Sequence, residues 1–209
     1  MMQSVLALAG PSGSGKSTVA YELVKSEAFE LVRSATTRER RRDGKSDEYI
    51  YLDREEFLSR IEAGEFLEYT EFSGNLYATP RGELSRIFAE GKTPLLILDM
   101  DGIERLRKSG EINLFAVYLY SALDVLDRRL ERRGEVAGTP IEQTRQRMKR
   151  NREDYLSLPE KAWLFDSFIE NSEGEVDGAV ASVLDGFDGI RVKNNGRKIA
   201  EALAKSVEH

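Results

Sequence analysis

Gly10-Pro-Ser-Gly-Ser-Gly-Lys-Ser17 fits the pattern G-x-x-x-x-G-K-[ST], which is typical of a phosphate-binding loop. The apolar run Ser4–Ala9 stands directly before it and predicts a short buried strand. The stretch Thr18–Lys25 follows with the apolar spacing of a helix. A strand before the octet and a helix after it are the context that the motif requires. The sequence therefore favours a bound polyphosphate over a glycine-rich turn without a ligand.

Each residue type in this loop has a physical role. Gly10, Gly13 and Gly15 allow backbone conformations that a Cβ would obstruct, so successive N–H groups can point at phosphate oxygens. The helix N-terminus adds unpaired donors, Lys16 adds a full positive charge, and the hydroxyl of Ser17 is suited to ligate Mg²⁺. The motif alone does not identify the reaction, because this fold serves kinases, GTPases, ATPases and motors.

Composition predicts one domain with insertions and an anionic small ligand. The chain has 209 residues, 40% of them hydrophobic, which is enough for a proper core. Its formal charge of −6 argues against nucleic acid or a membrane surface as a partner. Arginines nevertheless gather in Arg33–Arg42 and Arg128–Arg152, where we expect a highly anionic small molecule to bind.

Residue usage also limits the chemistry. The chain has no cysteine, which excludes a disulfide, a thiolate metal site and a cysteine nucleophile. Its one histidine, His209, stands at the C-terminus, which argues against a histidine-based mechanism. No apolar stretch reaches the length of a bilayer span, and the N-terminus lacks the charged segment of a leader. We expect a cytoplasmic enzyme.

Strands and helices alternate along the chain, and the strands are mostly continuous apolar runs. This pattern predicts an α/β fold with a parallel β-sheet core and helices on both faces. Leu95–Asp101 is predicted to be a strand that ends in two carboxylates, Asp99 and Asp101. Phosphate-loop enzymes use such an Asp to orient Mg²⁺ or its water, although an exposed strand end is the alternative.

Two segments interrupt the alternation. Residues 34–80 are small, partly β and rich in hydroxyl, aromatic and basic side chains, which suits a second substrate; a solvated charge run is the alternative for the basic part. Two arginine-rich helices, Leu123–Arg133 and Ile141–Leu158, flank a predicted break at Gly134–Pro140. They would suit a mobile lid, and an ordinary surface connection is the alternative.

Several sequence blocks match one family in order and spacing. The chain resembles guanylate kinase over roughly residues 4–185. No other nucleotide kinase family known to us has Thr-Thr-Arg-x-x-Arg followed by Gly-Glu-Phe-Leu-Glu, so this match is more specific than the phosphate loop. The matching blocks are Gly10–Thr18, Ser34–Arg41, Tyr49, Gly64–Glu68, Phe72–Tyr77, Leu98–Asp101 and Arg129–Gly134.

The resemblance implies Mg²⁺-dependent transfer of the γ-phosphoryl group of ATP to GMP, and to dGMP, on a P-loop fold of the nucleoside monophosphate kinase type. It implies the catalytic residues Lys16, Arg38, Arg129, Arg133 and Arg147. It implies ATP binding by Gly10, Pro11, Ser12, Gly13, Ser14, Gly15, Lys16, Ser17 and Thr18. It implies GMP binding by Ser34, Arg38, Arg41, Tyr49, Glu68, Tyr77, Thr79 and Asp101, and Mg²⁺ binding by Ser17 and Asp99, directly or through water.

The implied organisation is a single domain over residues 1–209 that acts as a monomer or a homodimer. It divides into a core (1–33, 81–125 and 159–190), a small mixed α/β GMP-binding insertion (34–80), a helical lid (126–158) and a C-terminal tail (191–209). Asn171 matches another position that the family uses near the substrate. Leu76 and Ala78 depart from the family, which has a tyrosine and a glycine there, and Thr79-Pro80 stiffens the stretch beside the base.

The chemistry of guanine supports Glu68 independently of the resemblance. Guanine presents N1–H and a 2-amino group side by side, and one carboxylate accepts both, whereas adenine has an acceptor at N1 and no 2-amino group. A buried polar group left unpaired costs ~1–3 kcal/mol, so Glu68 should discriminate against AMP. Two alternatives stay open at this point: a kinase of the same fold with a ribosyl bisphosphate acceptor, and a non-catalytic binding module.

Overall fold

The computed structural model describes residues 4–40, 49–72, 74–189 and 195–207. Within these ranges the chain forms two sheets, eight α-helices and a short 3₁₀ turn, Ala162–Leu164. The strands are β1 (Ser4–Ala9), β2 (Phe29–Leu31), β3 (Ser34–Thr36), β4 (Tyr49–Tyr51), β5 (Phe66–Phe72), β6 (Asn75–Pro80), β7 (Thr93–Ile97), β8 (Asn113–Tyr120) and β9 (Ser167–Glu170). The helices are α1 (Lys16–Val24), α2 (Arg54–Glu62), α3 (Arg81–Ala89), α4 (Met100–Ser109), α5 (Leu123–Ala137), α6 (Ile141–Lys161), α7 (Val176–Phe187) and α8 (Gly196–Lys205).

The larger sheet is parallel throughout, with the strand order β2-β7-β1-β8-β9. Its central strand, β1, is buried on both faces. Val5 and Ala7 contribute to one hydrophobic cluster, and Leu6 and Leu8 contribute to another. Successive side chains of a strand point to opposite faces, so one apolar run supports two helix layers. The predicted α/β fold with helices on both faces is thereby confirmed.

The smaller sheet lies within the predicted insertion and has the order β4-β3-β6-β5. β3 pairs with β4 in parallel and with β6 antiparallel, so the sheet is mixed. Helix α2 begins at its cap Asp53, whose side chain accepts from the Glu56 N–H at 2.8 Å. Phe57 of this helix packs against Phe66 of β5 with ring centroids 4.9 Å apart. The insertion therefore has a small core of its own.

The predicted strand Leu95–Asp101 is wrong at its C-terminal end. β7 ends at Ile97, and Asp99 caps α4 by accepting from the Gly102 N–H at 2.7 Å. A carboxylate followed three residues later by a free N–H is a typical helix start, and this local bond prevails over strand extension. Asp101 consequently lies in the first turn of α4 and not at a strand end.

The predicted break at Gly134–Pro140 is also wrong in extent. α5 continues to Ala137, and the break comprises only residues 138–140, with Gly138 at φ +61°. Gly134 lies inside α5, where an added Cβ would come within 2.8 Å of the Thr144 hydroxyl on α6. The glycine permits close contact between the two helices and does not interrupt the first one.

The C-terminal helix α8 packs on the core. Ala200 and Leu203 of α8 belong to the same hydrophobic cluster as Tyr155 and Leu158 of α6. The predicted terminal helix is thus present, while the short strand expected before it falls largely on residues outside the described ones. Among the described helices, none is both long and apolar enough to cross a membrane.

Candidate active site

The phosphate loop connects β1 to α1 and depends on two close approaches of its backbone. A Cβ on Gly10 would lie 2.0 Å from the Leu119 carbonyl oxygen, and one on Gly15 would lie 2.2 Å from the Asn171 amide. Both glycines also have φ in the left-handed range, at +140° and +90°. Larger residues would therefore change the path of the loop beside the carboxyl ends of β8 and β9.

The carbonyl oxygens of the loop are held by donors from several elements. The Lys16 ammonium donates to the Gly10 and Pro11 carbonyls at 2.7 and 2.9 Å. The carbonyls of Ser12, Gly13 and Ser14 accept from side chains at 2.8, 3.1 and 2.8 Å. The three donor side chains are those of Asn151, Arg129 and Asn171, in that order. Because these bonds hold the carbonyls, the loop can direct N–H groups at an anion.

Lys16 has its pKa lowered to about 8 by burial. The Asp154 carboxylate opposes this shift, and the Arg133 guanidinium adds to it. Burial in turn raises the pKa of Asp154 to about 6, with the Lys16 ammonium opposing. A buried ammonium surrounded by carbonyl oxygens is a site where a phosphate group gains a strong electrostatic interaction.

The three predicted lid arginines lie in different settings. Arg129 donates to the Gly13 carbonyl, the Ser121 hydroxyl and the Asn171 carbonyl, all at 3.1 Å, so in this structure it supports the loop. Arg133 is close enough to Lys16 to depress its pKa, and it lines a cavity of about 690 Å³ between α5 and residues 173–174. Arg147 lies on α6. The arginine-rich walls of this cavity suit a polyphosphate.

A second cavity, of about 190 Å³, lies between the two sheets and is lined by four of the eight residues predicted to bind GMP. The smaller sheet contributes one wall, and the end of β7 with the start of α4 contributes the other. Its volume and its mixture of apolar and hydroxyl groups suit a flat heterocycle. It is lined by Ser34, Tyr49, Glu68, Thr70, Tyr77, Ala78, Ile97, Leu98, Asp99 and Gly102.

Glu68 is the buried charge of this cavity, with 6% of its surface exposed. Its Oε1 accepts from the Thr79 hydroxyl at 2.7 Å, and its Oε2 has no hydrogen-bond partner among the described residues. Burial raises the pKa of Glu68, while the bond from Thr79 acts in the opposite direction. A buried carboxylate oxygen without a donor is costly, so the site is suited to a ligand that brings N–H groups.

Four of the residues that the resemblance assigns to GMP, Arg38, Arg41, Tyr49 and Tyr77, would hold its phosphate, and Tyr49 and Tyr77 line the same cavity. The Arg38 guanidinium carbon is 5.2 Å from the centroid of the Tyr49 ring, and the Tyr49 and Tyr77 rings are 6.4 Å apart. The buried Nε of Arg38 has no acceptor among the residues that the structure describes. Arg41, the fourth predicted member, lies outside the described residues.

The remaining predicted residues divide into those near the cavity and one that faces elsewhere. Asp99 lines the cavity and affects the pKa of Lys16, while Ser17 lies in the first turn of α1. Asp101 pairs with Lys161 at 2.8 Å and does not line the acceptor cavity. The structure therefore does not bring the Asp101 carboxylate into the predicted GMP site.

The structure explains two residues that differ from those usual in the family, Leu76 and Ala78. Leu76 is buried in the small core of the insertion, where it packs with Phe57 and Phe66. Ala78 is buried, lines the acceptor cavity and pairs with Ala35 across the sheet. Both side chains belong to the small hydrophobic core of this sheet.

Sequence reasoning did not identify Asn151 and Asp154 of α6. Asn151 bonds to both backbone groups of Ser12, and Asp154 faces Lys16. The only sequence signal was their spacing from Arg147, since positions four and seven residues further along a helix lie on one face.

Comparison with known proteins agrees with this geometry. The family model described as "Guanylate kinase" matches residues 2–188. A curated guanylate kinase of Clostridioides difficile (strain 630) is 31% identical over 182 residues, which cover 85% of this chain and 87% of that protein. One of Clostridium acetobutylicum is 30% identical over 194 residues, covering 91% and 90%. The crystal structure of guanylate kinase from Anaplasma phagocytophilum superposes with a TM-score of 0.61 at 23% identity over 98% of this chain and 95% of that one, which supports the fold. The chain belongs to the guanylate kinase family.

Proposed function

We propose that this protein transfers the γ-phosphoryl group of ATP to GMP, giving ADP and GDP, in the presence of Mg²⁺. The observation that carries the proposal is Glu68: a buried carboxylate with one oxygen bound to Thr79 and the other directed to no partner among the described residues. Family membership supports the reaction class, and this carboxylate supports the choice of acceptor.

Guanine is the purine that satisfies the Glu68 carboxylate. Its N1–H and 2-amino group donate side by side, so Oε2 of Glu68 accepts from the base while Oε1 keeps its bond from Thr79. Adenine would place an acceptor against the same oxygen and leave it unpaired, at a cost of ~1–3 kcal/mol. The Ser34 hydroxyl lines the same cavity and is suited to donate to guanine O6. The cavity therefore discriminates by hydrogen-bonding pattern and not by size alone.

The phosphate groups of both nucleotides meet positive charge. The loop N–H groups and the Lys16 ammonium would bind the donor phosphates, and Arg38 with Tyr49 and Tyr77 would hold the acceptor phosphate. Arg133 lies near Lys16 and would neutralise charge on the transferring group; Arg147 is proposed to act with it. Because phosphoryl transfer needs little covalent assistance from a protein, such positioned charge supplies most of the catalysis.

The oxygen donors beside the loop fit Mg²⁺. The Ser17 hydroxyl stands at the start of α1, and Asp99 uses Oδ1 to cap α4, which leaves its second oxygen for a metal-bound water. Among the described residues, no group of three or more acidic, histidine or cysteine side chains forms a metal site on its own. The ion would therefore enter with the nucleotide, as Mg²⁺ commonly does, and would neutralise phosphate charge.

A coupled assay of ADP release tests the proposal with GMP, dGMP, AMP, UMP and a ribosyl bisphosphate as acceptors. We expect GMP and dGMP to be the best substrates by at least two orders of magnitude in kcat/KM. Turnover with GMP no higher than with AMP would contradict the proposed acceptor, and preference for the sugar phosphate would favour a different kinase of the same fold. Failure of calorimetry to detect ATP binding would favour a non-catalytic module. A cytoplasmic location and a monomer or homodimer stay predictions from the sequence.

A further inference from the structure

Helix α6 reaches the phosphate loop through one buried amide side chain. Oδ1 of Asn151 accepts from the Ser12 N–H at 2.8 Å, and Nδ2 donates to the Ser12 carbonyl at 2.8 Å. Asn151 is only 1% exposed, and it is 139 positions from Ser12 in the sequence. One side chain thus satisfies both backbone groups of a residue in the middle of the loop.

The part of α6 that carries Asn151 is itself fixed to the core. The hydroxyl of Tyr155 donates to the Ser121 carbonyl at 2.6 Å and accepts from the Ser121 N–H at 3.2 Å. Arg152 pairs with Asp127 of α5 at 2.6 Å. Because the Tyr155 hydroxyl bonds to both backbone groups of Ser121 one helical turn from Asn151, Asn151 can impose a position on the loop and does not simply follow it.

We propose that Asn151 is a positioning residue for the donor nucleotide, an inference that rests on the proposed function. Its two bonds hold the backbone at Ser12, next to the Ser14 N–H that donates to the Pro11 carbonyl at 3.2 Å. Asn151 itself bonds to none of the N–H groups of residues 13–18, which are left to the loop and the donor phosphates. Without this amide, Ser12 has to pair with water or turn, and the loop populates conformations that do not bind. The apparent dissociation constant of the donor nucleotide then rises by a factor equal to the inverse of the fraction of molecules whose loop is in the binding conformation.

Calorimetric titration with ADP and Mg²⁺ tests this role in the wild type, Asn151→Ala and Asn151→Asp. We expect Asn151→Ala to weaken ADP binding about tenfold, which corresponds to ~1.4 kcal/mol. Asn151→Asp keeps the shape and one acceptor but sets a carboxylate against the Ser12 carbonyl, so it should weaken ADP binding at least as much. GMP binding should change less than twofold, because other elements form the acceptor cavity. In turnover, KM for ATP should rise tenfold while kcat falls less than threefold.

The matched control is Arg152→Ala, which removes the neighbouring contact of α6 with α5 and leaves the loop untouched. It should lower the unfolding temperature but change the ADP dissociation constant less than twofold. In the wild type, amide exchange at Ser12 should be slow without nucleotide, a measurement that needs no variant to fold.

Three results would overturn the inference. They are ADP binding within twofold of wild type in folded Asn151 variants, an equal loss of ADP binding in the Arg152→Ala control, and Ser12 exchange as fast as in an exposed loop. Since the ADP titration involves no acceptor, a failure of the GMP assignment would leave these outcomes interpretable.

Discussion

Replacement of Glu68 by glutamine removes one charge and one acceptor without changing the volume of the acceptor cavity. In the structure, Oε1 accepts from Thr79 and Oε2 is left for the ligand. A glutamine at this position has a single acceptor oxygen. If that oxygen faces guanine, the amide NH₂ has to meet Thr79; if it faces Thr79, the NH₂ opposes the guanine donors. In either orientation, at least one guanine N–H loses a charged partner.

The size of the loss follows from the bonds involved. A hydrogen bond to a charged group contributes ~1.5–3 kcal/mol. Loss of one such bond and weakening of the second gives ~2–4 kcal/mol, which is roughly a 30- to 1,000-fold fall in kcat/KM for GMP. AMP never uses the carboxylate in this way, so kcat/KM for AMP should change by less than about threefold. The preference for GMP over AMP should therefore fall by nearly the whole factor.

The coupled ADP-release assay measures this preference with GMP, IMP and AMP. IMP keeps N1–H but lacks the 2-amino group, so the wild type should prefer GMP to IMP and Glu68→Gln should prefer it much less. Glu71→Gln is the matched control, because Glu71 lies on the same strand and is exposed. If the ratio of kcat/KM for GMP to that for AMP in Glu68→Gln stays within threefold of wild type, the Glu68 carboxylate does not select the base.

Three further predictions concern pH and helix packing. Burial raises the pKa of Glu68 above its ordinary value of 4.5, so kcat/KM for GMP should decrease as the pH is lowered, starting at a pH above 4.5. This decrease should be missing from the pH profile of Glu68→Gln, and an unchanged profile in the variant would show that Glu68 is not the titrating group. Asp154 has its pKa raised from 3.8 to about 6, so the folded state binds its proton more tightly and stability falls as pH rises through this interval. Asp154→Asn should therefore be more stable than wild type at pH 7, by at most ~3 kcal/mol, and equal to it below about pH 4 in thermal unfolding; a constant difference across pH would argue against this origin. Gly134→Ala should lower the free energy of unfolding by ~1–2 kcal/mol through its clash with Thr144, yet should stabilise a Thr144→Ala background by up to ~1 kcal/mol, as measured by urea unfolding; destabilisation of both backgrounds would exclude this contact as the cause.

Sequence reasoning succeeded where a few adjacent residues determine the geometry. The octet at 10–17, with a strand before it and a helix after it, was sufficient to predict the loop, and the alternation of continuous apolar strands with helices predicted the parallel sheet around it. The residues Ser34, Tyr49, Glu68 and Tyr77 were predicted as acceptor ligands, and the structure brings them to one cavity. Each comes from a strand of the small sheet, so the position of the cavity follows from strand pairing.

The errors have local and long-range causes. The prediction of a strand through Asp101 was wrong because the apolar run is followed by Asp99, which caps a helix. A count of apolar residues does not detect a hydrogen bond of this kind. Gly134 was taken as a helix end, although its small size serves a contact with Thr144 of the next helix. Asn151 was missed because its partner is 139 positions away, a distance over which periodicity carries no information. Such contacts depend on how the helices pack, and one sequence does not specify that directly.

The most direct test of the central claim is a crystal structure of the protein with GMP bound. We expect Oε2 of Glu68 to lie ~2.7–3.2 Å from N1 or the 2-amino nitrogen of guanine, with the phosphate beside Arg38, Tyr49 and Tyr77. A base bound elsewhere, or a Glu68 side chain turned away from it, would show that Glu68 does not select guanine.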